Sequence, residues 1–164
     1  IFVMTVREYN QAVQEYSDKV YRFILGNIKD TQRAEDIVQD SYEKLWRNVT
    51  EIEFSVARSW LFSTAYHTMI DILRKESRMT RIEPVHEKES IYDKGYSDLN
   101  EILQKALEKL PEAQKTAVML RDYEGYSYKE ISEITGSNEA QVKTNIYRGR
   151  VALKTYIGTI ETVL

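Results

Sequence analysis

Apolar residues recur along this chain at helical spacing, and the gaps between recurrences mark its elements. Val13, Tyr16, Val20, Phe23 and Ile24 form one stripe. They predict a first helix from Val6 to Leu25, broken by Gly26 and Asn27. Asp30 or Thr31 opens a second helix to about Trp46, with Ala34, Ile37, Val38, Tyr42, Leu45 and Trp46 facing inward. A connector follows at Thr50 to Phe54. Ser55 is then expected to cap a third helix through Trp60, Leu61, Ala65, Met69, Ile70 and Leu73 to about Arg78. Three such helices can pack as one domain.

From Met79 to Asp98 the periodicity stops. Pro84, Gly95 and the acids Glu83, Glu87, Glu89 and Asp93 predict a polar linker. An ordered surface loop is the other reading, although loops this long are uncommon inside compact domains. Asp98 and Glu101 then form a cap-like pair before Ile102, Leu103, Ala106, Leu107 and Leu110. Pro111 suits the first turn of the next helix, where its missing N–H costs nothing. That helix carries Ala117, Val118 and Leu120 and is expected to end near Gly125.

The last third has the clearest punctuation. Ser127 and Glu130 have the spacing of a capping box, so a short helix is predicted from Ser127 to Thr135. Gly136 can take the left-handed conformation that ends it. Asn138 followed by Gln141 is a polar start of the same design, opening a helix to about Tyr156. Ile131, Ile134, Val142 and Ile146 then face one small core. This is a helix-turn-helix pattern, which in DNA-binding proteins sets the second helix in the major groove. Any two helices need a turn, so the pattern alone leaves a purely structural reading open. The second helix carries Lys143, Arg148, Arg150 and Lys154 against the single acid Glu139, with Gln141, Thr144 and Asn145 near its start. Phosphates need such cations, and base edges need such amides and hydroxyls.

Composition bounds the picture. The 164 residues allow one medium domain or two small ones, and six Gly with two Pro suit a mostly helical chain. The net charge of −3 is unusual for a free-standing DNA binder, so intrinsic DNA affinity should be modest and a partner is expected. Cysteine is absent, which excludes disulfide and thiolate chemistry. His67 and His86 are the only histidines and lack metal-ligand spacing, and there is no Gly-rich phosphate loop or nucleophile elbow. The chain is therefore expected to be no enzyme and to need no cofactor or metal. The opening Ile-Phe-Val-Met-Thr-Val is too short for a signal-peptide core, and no apolar run approaches the roughly 20 residues of a membrane span. A cytoplasmic protein without membrane insertion is expected.

Two sets of segments together resemble one family. Ala34-Glu35-Asp36-Ile37-Val38-Gln39-Asp40, with Leu45-Trp46, resembles region 2 of bacterial sigma factors. So does Ser59-Trp60-Leu61-Phe62 with Ile70-Asp71-Ile72-Leu73-Arg74. Leu107 to Pro111 with Ala113, Tyr126 to Ile131, and Val142-Lys143 through Arg148-Gly149-Arg150 resemble region 4. The short linker, with no third domain, is similar to the extracytoplasmic-function (ECF) group. The resemblance implies an all-α chain of two small helical domains: region 2 over 1–78, a linker over 79–97 and region 4 over 98–164. It implies that the chain binds core RNA polymerase, through the largest-subunit coiled coil and the flap. It implies too that region 2 reads and opens the −10 element of promoter DNA while region 4 reads the −35 element. An anti-sigma factor is a further partner the family allows.

The same resemblance implies site residues. Asp36, Gln39, Asp40 and Glu43 would dock on the polymerase, offsets of three and four placing them on one helix face. A solvated acidic face is the plainer alternative. Leu45 and Trp46 read as core. Phe54, Ser55, His67, Arg74, Lys75 and Arg78 would meet the −10 region, with Arg81 in the same basic cluster. Phe54 is equally readable as core, and the basic cluster as an ordinary helix end. Many family members carry Asn where this chain has His67, and His67 can also pair with Asp71. Ser132 stands where Ala is common. Gln141, Lys143, Thr144, Tyr147 and Arg148 would meet the −35 region, with Arg148 on guanine, Tyr147 on a thymine methyl and Lys143 on phosphate. Val142, Ile146 and Val151 read as core, while Arg150 and Lys154 read either as backbone contacts or as solvated. The rival readings are a stand-alone helix-turn-helix regulator with a helical sensor domain and a helical adaptor whose basic helix binds protein or RNA.

The linker generates the first prediction. Limited proteolysis of the whole chain should cut first between Met79 and Asp98 and release two folded fragments, read by mass spectrometry and circular dichroism. Protection of that span would contradict a tether.

Overall fold

The computed structural model describes residues 3–79 and 98–163, which form only helices, turns and bends. They fall into two compact units, the first within Ile1–Glu89 and the second within Ser90–Leu164. Most of the predicted linker, with Arg81 and His86, lies outside the described residues.

The first unit is three mutually packed helices, α1 (Val6–Ile28), α2 (Thr31–Arg47) and α3 (Phe54–Met79). A capping box opens α1: the Thr5 hydroxyl accepts from Glu8 N–H at 3.1 Å, and Thr5 N–H donates to the Glu8 carboxylate at 3.0 Å. The helix runs past the expected break at Gly26 and Asn27. Asn27 donates its side-chain N–H to the Phe23 carbonyl at 2.9 Å, and Ile28 is buried. Burial of one more apolar residue outweighs the weak helix propensity of Gly26 and Asn27. The stop is Lys29, in a left-handed conformation at φ 55°.

Asp30 caps α2 by accepting from Arg33 N–H at 3.2 Å. The core joins Val20, Phe23 and Ile24 of α1, Ala34, Ile37 and Leu45 of α2, and Leu61, Phe62, Ala65 and Met69 of α3. Phe23 and Phe62 meet with ring centroids 5.4 Å apart. Tyr42 donates its buried hydroxyl to the Ala12 carbonyl at 2.9 Å, and Tyr9 donates to the Tyr42 carbonyl at 3.1 Å, tying α1 to α2. Burial first, then the neighbouring Tyr9, push the Tyr42 hydroxyl well above its usual range, so it remains a donor. The third helix starts at Phe54, so Ser55 lies inside its first turn rather than capping it.

The second unit contains α4 (Asp98–Glu108), α5 (Glu112–Val118), a π-helical turn (Met119–Tyr123), α6 (Tyr128–Thr135) and α7 (Glu139–Val163). Pro111 stands at the cap of α5. The helix expected to run to near Gly125 is α-helical only to Val118; the next turn is π, closed by Glu124 N–H to Met119 C=O at 3.2 Å. Gly125, at φ 76°, ends it. Both predicted features of the helix-turn-helix form. Ser127 and Glu130 exchange both capping-box bonds, and Gly136 takes φ 81°. Asn138 and Gln141 bond reciprocally at 2.8 and 3.1 Å. Ser132, in place of the common Ala, donates to the Ser137 carbonyl at 2.5 Å and braces the turn.

Helix α7 packs on α4, α5 and α6. Its approach to α5 depends on Gly149, where an added Cβ would lie 2.7 Å from Val118 Cγ2. Gly149→Leu should therefore lower the stability of the second unit by about 1–3 kcal/mol. Combining it with Val118→Ala should recover part of that loss. Urea unfolding of the three variants checks both statements.

Candidate functional site

On α2, Asp36, Gln39 and Glu43 are exposed and lie along one stripe, while Ala34, Ile37 and Leu45 are buried behind them. Asp36 accepts from the Gln32 side chain at 3.3 Å. Asp40 is half-buried and holds Lys44 at 3.0 Å; Lys44 also reaches Thr68 of α3 at 3.4 Å. Asp40 thus braces the unit as well as adding charge to the stripe. Glu43 lies 3.9 Å from Arg47. Trp46, expected in the core, is 49% exposed and extends the stripe by one turn, its ring edge-on to Tyr9 at 5.0 Å. The signal was present: Trp46 stands three residues after Glu43 and seven after Gln39, so it belongs to their face.

On α3 the candidate residues separate. His67, Arg74, Lys75 and Arg78 are exposed and follow one another at offsets that keep to one side of the helix. His67 packs edge-on to Tyr66 at 5.3 Å. Glu76 pairs with Arg33 of α2, anchoring this end of α3. Phe54 and Ser55 sit at the other end, about 28 Å away along the axis from Arg74 at roughly 1.5 Å per residue. Phe54 is half-buried and stacks on Tyr16 at 6.4 Å, whereas Ser55 is exposed.

On α7, Lys143, Thr144, Tyr147 and Arg148 are exposed, with Tyr147 at 71%. Val142 and Ile146 are buried on the opposite side against Ile131 and Ile134. Gln141 is exposed but spends its carbonyl oxygen on the Asn138 N–H. Val151 is not core: it is 48% exposed and follows Tyr147 by one turn, since α7 has no neighbour on that face to cover it among the described residues. Arg150 is neither a free cation nor merely solvated. It binds Asp122 of the π turn with two hydrogen bonds, at 3.1 and 2.5 Å.

Comparison with known proteins gives this arrangement a family. Residues 12–79 match the model for Sigma-70 region 2, and residues 100–153 match that for Sigma-70 region 4. The RNA polymerase sigma factor SigV of Bacillus subtilis is 33% identical over 83% of this chain and 82% of its own length. The chain belongs to the ECF sigma factors. The ECF sigma factor SigE of Mycolicibacterium smegmatis is 30% identical over 91% of this chain, which spans 61% of that relative. A solved structure of the sigma factor RpoE with the anti-sigma factor NepR from Bartonella quintana matches with a TM-score of 0.83 and 25% identity, over 93% of this chain and 98% of that one.

This sigma factor is all-α and directs transcription initiation as an alternative sigma factor. Sigma factors are initiation factors rather than enzymes. The region 2 match over 12–79 removes the reading as a stand-alone regulator, which has no need of that domain. No described helix is long and apolar enough to cross a membrane.

The Arg150–Asp122 pair generates a prediction. Both side chains are partly exposed, so Arg150→Gln should cost at most about 1 kcal/mol of stability. A double-mutant cycle with Asp122→Asn should recover nearly all of that as coupling, measured by thermal unfolding. Additive losses would show that the two residues act separately.

Proposed function

We propose that this sigma factor docks on core RNA polymerase through the α2 stripe of Asp36, Gln39, Asp40, Glu43 and Trp46. The observation that carries the reading is an acidic, exposed row on a helix whose opposite face is fully packed, ending in a half-exposed tryptophan. A rigid row of carboxylates offers steering and register to a basic helical partner, and an indole offers an apolar anchor. The largest-subunit coiled coil and the flap are the polymerase elements this reading assigns. Residues 1–78 act as region 2, 79–97 as the tether and 98–164 as region 4.

Promoter DNA is the second partner. In this reading the exposed stripe of His67, Arg74, Lys75 and Arg78 tracks the strands of the −10 element, with Phe54 and Ser55 serving a separate point at the other end of α3. Thr144, Tyr147 and Arg148 read the −35 element, with Lys143 and Gln141 beside them. An anti-sigma factor is the third partner, supported by the complex in which the Bartonella quintana relative was solved. The chain itself performs no catalysis, takes no cofactor and works in the cytoplasm.

The test is titration of the full chain against core polymerase, followed by permanganate probing of a promoter selected from random sequence. Wild type should bind core and expose reactive thymines near −10 only as the holoenzyme. Asp36→Lys combined with Gln39→Ala should keep its helicity and lose both properties. Unchanged core affinity would remove the α2 stripe from the account.

A further inference from the structure

Among the cations on the exposed side of α7, one is held differently from the rest. Lys143, Arg148, Arg150 and Lys154 are all exposed. Lys143, Tyr147, Arg150 and Lys154 follow one another at offsets of four, three and four, so they form one row along the helix. Among the described residues Lys143, Arg148 and Lys154 are paired with no carboxylate, whereas Arg150 holds Asp122. The acid is not a neighbour on α7. It comes from the π turn, 28 residues earlier in the chain.

The form of this pair bears on what Arg150 can do. Its Nε donates to one Asp122 oxygen at 3.1 Å and its Nη2 to the other at 2.5 Å. A guanidinium binds phosphate through the same two-pronged arrangement. The carboxylate therefore occupies the donors a backbone phosphate would take, and it cancels the charge that would attract one. Both side chains are partly exposed, so the pair itself adds little stability. Its larger effect falls on the potential of the row, which loses one of its three cations.

We propose that Asp122 is an internal stand-in for a DNA phosphate, an autoinhibitory contact that withholds Arg150 and keeps the affinity of the free chain for arbitrary DNA low. This rests on the DNA-binding reading of the helix-turn-helix. A neutralised cation removes about one released counterion from each encounter with a duplex. The restraint is partial, because Lys143 and Lys154 keep their charge. A chain that leaves arbitrary DNA quickly stays available to the polymerase.

The experiment measures binding of the full chain to a mixed-sequence duplex of about 30 base pairs across a salt titration. Wild type, Asp122→Asn, Arg150→Gln and the double variant are compared. Asp122→Asn should bind roughly three- to tenfold more tightly at low salt, with a salt slope steeper by about one unit. Arg150→Gln should leave the slope unchanged in the wild-type background and lower it by about one unit in the Asp122→Asn background. That difference separates release of Arg150 from the general effect of deleting a negative charge, which is the same whether Arg150 is present or not. Circular dichroism checks the fold of each variant, and Asp122→Ser repeats the test should the Asn variant lose helicity.

Three results would overturn the proposal. The first is an unchanged slope in Asp122→Asn, whatever its affinity. The second is an equal slope change on removing Arg150 in both backgrounds. The third is no binding by any of the four proteins at low salt, which would remove the DNA-binding reading as well; the first two leave that reading in place. Binding by Asp122→Asn alone supports the proposal, since the gain then needs Arg150. Because the duplex has no selected sequence, no outcome depends on base reading by Arg148.

Discussion

Position 149 lacks a side chain, and Val118 uses that space to bring α5 against α7. The second unit is organised by this contact because α7 is the helix on which α4, α5 and α6 all pack. With α5 seated there, the π turn that follows is delivered beside α7, so that Asp122 meets Arg150 and Arg121 reaches the Tyr128 ring. The exposed row on α7 is what remains uncovered after three neighbours have taken the rest of the helix. A single helix can serve as both core and reading surface only if its partners approach closely on one side.

Local punctuation was the most legible part of the sequence. Capping boxes and left-handed glycines act within a few residues, so Ser127 with Glu130, Gly136, and Asn138 with Gln141 could be read directly and formed as expected. Features set by distant packing were harder to read. Gly26 and Asn27 look like a stop, yet the burial of Ile28 carries α1 through them. Trp46 and Val151 look like core by residue type, yet each is about half exposed, Trp46 with only the edge of Tyr9 against its ring. The π turn has no short-range signature here. It re-phases the chain after Val118, so no periodicity argument could have aimed Arg121 at Tyr128 or Asp122 at Arg150. The family was legible from motifs, whereas these pairings had to be found in three dimensions.

Charge is handled in three ways along the chain. Arg33 with Glu76 and Arg150 with Asp122 are spent on holding elements together. Lys44 is shared between Asp40 and Thr68, bracing α2 on α3. Arg74, Lys75, Arg78 and Arg148 project into solvent. A net charge of −3 therefore says little about local potential, because some acids and bases are committed to internal pairs while others are gathered in rows of one sign. The two units can carry opposite faces to opposite kinds of partner.

The chain has two tryptophans, Trp46 and Trp60, and both lie in the first unit. Tyrosine is the only long-wavelength chromophore of the second. Indole emission excited at the red edge is thus a private reporter of the first unit, blind to the melting of the helix-turn-helix. Circular dichroism sees the helices of both. Agreement between the two signals through an unfolding transition would mean one cooperative molecule; divergence would resolve two. Trp46, half in water beside Tyr9, also makes the α2 row an intrinsic optical sensor whose colour responds to whatever covers it.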